Sequence, residues 1–152
     1  MLNSSSVSID SSIATGLLWN HLHNDNGLSI EQVLFIHDTL INTTGGAHGV
    51  RDLSLLVAAV RRPQAGLADR ALYPTVHEKA AALLQSLIMN HPFIDGNKRT
   101  GITAAAVFLE MNDVYLTASS NELEDFAIHV ATQSLSVADI VVWLRQHSDS
   151  SS

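Results

Sequence analysis

Apolar residues recur at helical spacing over most of this chain. Residues 28–42 open with Ser29 and Gln32 at capping-box spacing, and Ile30, Val33, Leu34, His37, Leu40 and Ile41 then fall on one stripe. Residues 53–62 repeat the pattern with Leu53, Leu56, Val57 and Val60; Arg61 and Arg62 suit the negative end of that helix, and Pro63 stops it. Thr75 and Glu78 form a second capping pair ahead of Val76, Ala80, Leu83, Leu84, Leu87 and Ile88. Charges are so few over 80–89 that this helix is expected to be buried on several sides. Ile102, Ala105, Ala106, Phe108 and Leu109 predict a second central helix, and Ala104, Ala105 and Ala106 allow close packing. Residues 112–113 read as a turn and 114–117 as a short extended piece. Asn121 with Glu124, and Ser136 with Asp139, open two last helices over 122–132 and 137–146. Upstream, Leu17, Leu18 and Leu22 predict a short helix within 13–22. Residues 1–12 are Ser-rich and predict a flexible N-terminal segment, and 148–152 a flexible tail. Five to seven helices and almost no strand predict a single all-α domain over 13–147.

Chemistry concentrates between the two central helices, in His91-Pro92-Phe93-Ile94-Asp95-Gly96-Asn97-Lys98-Arg99. A short helix connection needs only a cap and a turn; this one carries a histidine, an acid, an amide and two cations. Pro92 disfavours helix for His91, so the preceding helix should stop near Asn90. Gly96 permits a tight turn or the close approach of a ligand. The next helix is expected to begin around Asn97, with unpaired amides and the positive end of its dipole beside Lys98 and Arg99, a ready site for phosphate. Asp95 at its mouth could hold a magnesium ion against phosphate oxygens, and His91 just outside could accept a proton. Base, metal ligand and phosphate cradle together read as phosphoryl or nucleotidyl transfer. Phe93 and Ile94 read as core anchors that pin the loop. Singly, Lys98 and Arg99 could be a solvated pair; a zinc site lacks a third ligand.

Three glycines in residues 43–52 mark a loop with unusual backbone demands. Arg51 there reads either as a contributor to the site or as a salt-bridge partner, with Asp52 as a helix cap. His37, on the apolar side of its helix, reads as a hydrogen-bonded, partly buried histidine, with a supporting place near the site as the alternative. His21 and His23 read as an exposed pair, and His129 and His147 as ordinary. Residues 64–74 show no period and read as loop.

HPFIDGNKRTG, residues 91–101, resembles the signature loop of the Fic/Doc superfamily, whose wider Fic pattern is HPFxxGNGR. Lys98 stands where Fic proteins carry their second glycine, and the GNKR form after Asp95 resembles the death-on-curing (Doc) branch. GGxxGxRD, residues 45–52, is similar to the corresponding Doc loop, and the resemblance runs from about residue 28 to 144. It implies the compact Fic/Doc helical fold with the signature loop between two central helices. It implies a toxin of a type II toxin–antitoxin system that transfers the γ-phosphate of ATP to a Ser or Thr hydroxyl of a translation protein, elongation factor Tu being the family's target class. In that reading His91 is the base and Asp95 holds Mg2+. Gly96 and Asn97 line the anion hole, Arg99 neutralises phosphate, Arg51 contributes to the site, and Lys98 selects the γ-phosphate by filling the space that glycine leaves for AMP transfer. Residues 65–73 would form a flap that docks the target by strand-like pairing. Gly96 departs from the alanine of the best-known Doc proteins, towards the Fic pattern, so a Fic-type AMP transferase is the alternative, followed by a non-catalytic nucleotide- or antitoxin-binding module. The inhibitory pattern [ST]xxxE[GN] has its nearest match at 120–125, where Asp125 breaks it and a helix start is the simpler reading; an antitoxin supplied in trans is then expected.

Composition narrows the partners. Eight Lys and Arg against fifteen Asp and Glu give a net charge of −7, which disfavours direct nucleic-acid binding. The absence of cysteine excludes disulfides and thiolate chemistry. No apolar run approaches the ~20 residues of a membrane span, and the N-terminus lacks a secretory pattern; a cytoplasmic protein is expected.

Overall fold

The computed structural model describes residues 27–150. Six α-helices and two small two-stranded sheets follow in the order α1 (Ile30–Thr44), α2 (Leu53–Arg61), a 3-10 turn (Arg62–Gln64), β1 (Gly66–Leu67), β2 (Arg70–Ala71), α3 (Val76–Met89), α4 (Asn97–Met111), β3 (Val114–Leu116), α5 (Ser120–Gln133), α6 (Val137–Gln146) and β4 (Ser148–Ser150). The expectations for 1–12 and for the helix within 13–22, and the reading of His21 and His23, lie outside the described residues. The fold is all-α, as the periodicity predicts.

The centre is the antiparallel pair α3–α4. Ala80, Ala81, Leu83, Leu84, Leu87 and Ile88 of α3 meet Ala104, Ala105, Phe108 and Leu109 of α4, all buried. Small residues let the backbones approach: a Cβ at Gly101 would stand 2.7 Å from Ile88 Cγ1. α1 and α5 pack on α4, and α2 and α6 on α3. Phe126 and Trp143 stack at 3.9 Å and tie α5 to α6.

Several boundaries moved for identifiable reasons. Ser29 and Gln32 form the expected capping box, as do Ser136 and Asp139. For α5 the box is Ser119 with Glu122, two residues ahead of the Asn121–Glu124 pair. Both pairs have the spacing, but Ser119 has the extended backbone a cap needs (φ −69°, ψ 163°). Residues 120–125 thus lie inside the start of α5. Thr75 caps α3 through the Glu78 amide, while its hydroxyl donates to the Glu78 carboxylate, so only half of a capping box forms. Residues 65–73, an unstructured loop by periodicity, hold the β1–β2 hairpin, turned at Ala68 with φ +56°. Residues 148–150, expected as flexible tail, instead form β4 and pair antiparallel with β3, Val114 opposite Ser150 and Leu116 opposite Ser148. Short polar residues carry no apolar pattern, so only backbone pairing places them.

Candidate functional site

α3 ends at Met89 and α4 begins at Asn97, which leaves residues 90–96 as the loop between the central helices. Its shape is held from beneath. Phe93 is buried and stacks flat on the His37 ring, centroids 3.8 Å apart. His37 Nε2 donates to the Asp95 carbonyl at 2.8 Å, which fixes the tautomer, since a carbonyl can only accept. His37 is thus both the buried, bonded histidine and a support of the site. Asn97 grips the Phe93 peptide from both sides: its Oδ1 accepts from the Phe93 amide at 2.9 Å and its Nδ2 donates to the Phe93 carbonyl at 3.0 Å. The Asn97 side chain is therefore occupied, and only its backbone amide can face a ligand. Ile94 corrects its expected role as a core anchor. It is 58% exposed, because the bridge between Val50 and Phe93 turns Phe93 inward and its neighbour outward.

The glycine-rich loop lies along the signature loop. Ile94 N donates to the Gly49 carbonyl, and the Arg51 and Asp52 amides both donate to the Pro92 carbonyl. Two glycines here are sterically required. At Gly46 (φ +114°) a Cβ would stand 2.7 Å from Asp95 Oδ2, and at Gly49 (φ +126°) 2.7 Å from Ile94 Cδ1. Asp52 caps α2 by accepting from the Leu55 amide. Arg51 reaches the loop as a clamp: Nε donates to the His91 carbonyl at 2.6 Å and Nη2 to the Asn90 carbonyl at 2.8 Å. It holds His91 in a backbone conformation with φ +49°, which costs a non-glycine residue of order 1 kcal/mol or more. The His91 side chain is exposed and makes no hydrogen bond to any described residue, so the ring is open to solvent.

The start of α4 differs from every other helix start described. Gly96 is left-handed (φ +78°, ψ 19°) and offers no capping side chain. The Thr100 amide makes the first helical bond, to the Gly96 carbonyl. The Asn97, Lys98 and Arg99 amides have no partner among the described residues and point with the positive end of a fifteen-residue helix. The Lys98 side chain is exposed and unbonded, and Arg99 donates to Thr44 Oγ1 at the end of α1. Asp95 accepts from the Ala47 amide at 3.1 Å and the Gly96 amide at 2.9 Å. These two bonds, the Ala47 one foremost, hold its carboxyl below the usual carboxylate range, with Arg99 adding to the effect. Each oxygen keeps a lone pair. One ionised carboxylate beside unpaired helix-start amides is the donor set Mg2+ takes, commonly one or two carboxylates together with substrate phosphates. Among the described residues no group of three His, Cys, Asp or Glu could hold a metal alone.

The seven expected site residues thus fall on one connected stretch. His91, Asp95, Gly96, Lys98 and Arg99 surround the α4 start, Asn97 contributes its amide, and Arg51 acts on the backbone behind His91. Thr44, Gly46 and Ala47 were not singled out. The run of glycines was the available signal, since positive φ there brings the Ala47 amide onto Asp95.

An uncapped helix start beside a glycine-rich loop, with a free histidine at its mouth, has the geometry of an anion-binding site. The Fic/DOC family model matches residues 27–109, more than half of the chain. The chain belongs to the Fic/DOC family, on its Doc branch. It is 47% identical over 102 residues to "Toxin Doc" of Mycolicibacterium smegmatis, covering 66% of this chain and 78% of that protein. It is 33% identical over 119 residues to "Protein kinase doc" of Escherichia phage P1, covering 78% of this chain and 93% of that protein. Among the described residues no helix is long and apolar enough to cross a membrane.

Proposed function

We propose that this chain is the toxin of a type II toxin–antitoxin pair and transfers the γ-phosphate of ATP to a Ser or Thr hydroxyl of a translation protein, with elongation factor Tu as the target class. The observation that carries this reading is the free His91 ring beside an uncapped helix start whose second residue is Lys98. The names of the two relatives, a toxin and a protein kinase, support it.

His91 takes the proton of the target hydroxyl, whose oxygen then attacks the γ-phosphorus. The bond from that phosphorus to the β–γ bridging oxygen breaks, and ADP leaves with the electron pair. The Asn97, Lys98 and Arg99 amides receive phosphate oxygens, and the Lys98 and Arg99 side chains balance their charge. Arg51 keeps the base in place. Asp95 would hold Mg2+, which when bound offsets phosphate charge. The cytoplasm, where ATP and translation proteins meet, is the proposed location, and an antitoxin in trans the proposed regulator.

Gly96 favours a second reading, AMP transfer. It lacks the side chain that alanine would place near Ile41 and His37, where a Cβ would stand 3.0 Å from Ile41 Cδ1. Purified protein, Mg2+, elongation factor Tu and ATP labelled at either the γ- or the α-phosphate separate the two. Transfer of the γ-label alone is expected. Transfer of the α-label alone makes the protein an AMP transferase and ends the role given to Lys98. Movement of neither label points to another target or to a non-catalytic module. Asp95→Asn should abolish the magnesium dependence of transfer; an unchanged requirement would remove Asp95 from that role.

A further inference from the structure

Seven of the eight Lys and Arg residues lie between Arg51 and Arg99, in a chain of net charge −7. Among the described residues no Lys or Arg lies within 4.0 Å of a carboxylate; the close pairs there involve histidine. The cations therefore make no direct ion pair there, although acids outnumber them. Over residues 51–99 those seven cations meet four acids, Asp52, Asp69, Glu78 and Asp95, so this stretch carries a local positive field.

That field has a focus. Ala58, Arg61, Arg62, Ala65, Ser86 and Asn90 line an open cleft of about 530 Å³. Asn90 adjoins His91, and Ala65 leads into the β1–β2 hairpin, so the cleft runs from the catalytic loop to that hairpin. Arg62 is fixed across its floor by neutral acceptors: Tyr73 Oη at 3.0 Å, Gln85 Oε1 at 2.6 Å and Ser86 Oγ at 2.9 Å. These bonds orient its guanidinium without cancelling its charge. Arg61, next to it, is exposed and has no side-chain partner among the described residues. Arg70, on the hairpin, is likewise exposed and unpartnered. The small side chains of Ala58 and Ala65 leave the space beside Arg61 open.

We propose that this cleft selects the polypeptide substrate by charge: Arg61, with the oriented Arg62 behind it, takes an acidic side chain flanking the hydroxyl to be modified. This deepens the proposed function and rests on it for the word substrate, but binding can be measured without transfer. Complementary charge here acts on partner choice and association rate more than on total affinity.

The test uses full-length His91→Ala protein, so that no turnover intrudes, and three fluorescein-labelled peptides. Each has one threonine in an alanine–glycine background, flanked on both sides by glutamate, glutamine or lysine. Anisotropy at low salt should show the glutamate peptide binding about two- to fivefold tighter than its near-isosteric glutamine counterpart, a margin of the size an exposed ion pair supplies. That margin should shrink at high salt. Arg61→Glu in the same background should reverse the order in favour of the lysine peptide, and Arg61→Lys should retain the glutamate preference. Arg61 is exposed, so these variants are expected to fold, which circular dichroism checks. Equal binding of the glutamate and glutamine peptides, no measurable binding of either, or a glutamate preference unmoved by Arg61→Glu overturns the proposal. A glutamate preference that depends on Arg61, found in a protein that transfers no label when His91 is restored, sinks the kinase reading and leaves the charge selection standing.

Discussion

The six helices described begin in two ways. Five begin on a side chain that accepts one of the orphan amides: Ser29, Asp52, Thr75, Ser119 and Ser136. α4 begins on left-handed Gly96, with nothing accepting from its first amides. A cap contributes about 1 kcal/mol of stability, so the central helix forgoes what its neighbours keep. The five capped starts satisfy their donors permanently and serve the fold. The α4 start leaves its donors unpaired among the described residues, and neighbouring groups hold the loop in compensation: Asn97 on Phe93, His37 on the Asp95 carbonyl, and Arg51 on the carbonyls of residues 90 and 91.

The sharpest way to break this contrast is His91→Ala. The ring bonds to no described residue, so its loss should leave thermal unfolding nearly unchanged while label transfer falls about 10²–10⁴-fold, the range for a general base. Retained transfer in a folded variant would mean that the α4 start is not a reaction site. Arg51→Ala comes next. It frees the carbonyls of Asn90 and His91 and releases the φ +49° conformation. Transfer should fall well beyond the stability loss of about 1–2 kcal/mol expected for two bonds, and it should do so through kcat with the KM for ATP little changed. A rise in KM for ATP alone would instead make Arg51 a phosphate ligand.

Capping supplies the direct comparison. Gly96→Asp places a carboxylate beside the unpaired α4 amides and a Cβ in a left-handed residue, 3.0 Å from Ile41 Cδ1, and should cost about 1 kcal/mol and reduce ATP binding. Ser119→Ala removes a capping box and should cost a similar ~1 kcal/mol with ATP binding and transfer intact. Chemical denaturation read beside ATP titration checks both. Equal functional damage from the two variants would show that the starts of α4 and α5 differ only in appearance.

The parts of this contrast legible in the sequence are those written in local chemistry. Pro92 announced the end of α3 and Gly96 the turn before α4, and the cap residues of α1, α2 and α6 were identifiable from one side chain and its spacing. Ser119 was missed because the chain offers the same spacing twice, and only backbone geometry chooses between Ser119–Glu122 and Asn121–Glu124. Contacts between distant segments were not legible. Nothing local ties Ala47 to Asp95 or Arg51 to His91, forty residues away, and nothing in Ser148–Ser150 announces a strand paired to Val114–Leu116. Ile94 looked like an anchor by composition, yet the bridge at Phe93 turned it to solvent.

The smallest effect comes from a capped start that carries a titratable group. His77 sits in the first turn of α3, where the helix dipole already disfavours a positive charge. Its pKa lies below the usual histidine value, first because it is partly buried and then because Arg145 is near. The folded protein therefore binds a proton at His77 less readily than the unfolded chain does. This contribution is fully present above the unfolded value of about 6.5 and is lost as pH falls through the lower folded value. Thermal stability should thus decline from pH 7.5 towards 5.5 (~0.5 kcal/mol or less, since His77 is only partly shielded from solvent). His77→Gln keeps a polar group opposite Ser148 Oγ, 3.2 Å from Nε2 in the native protein, and should flatten that slope. Lys98 and Arg99 also place positive charge in a first helical turn. There the repulsion persists until an anion arrives, so ATP should stabilise the protein by an increment that His77→Gln leaves unchanged. An ATP increment that falls in step with the pH slope in His77→Gln would show that the α3 start and the α4 start answer to the same ligand, and the division between capped and open helix starts would fail.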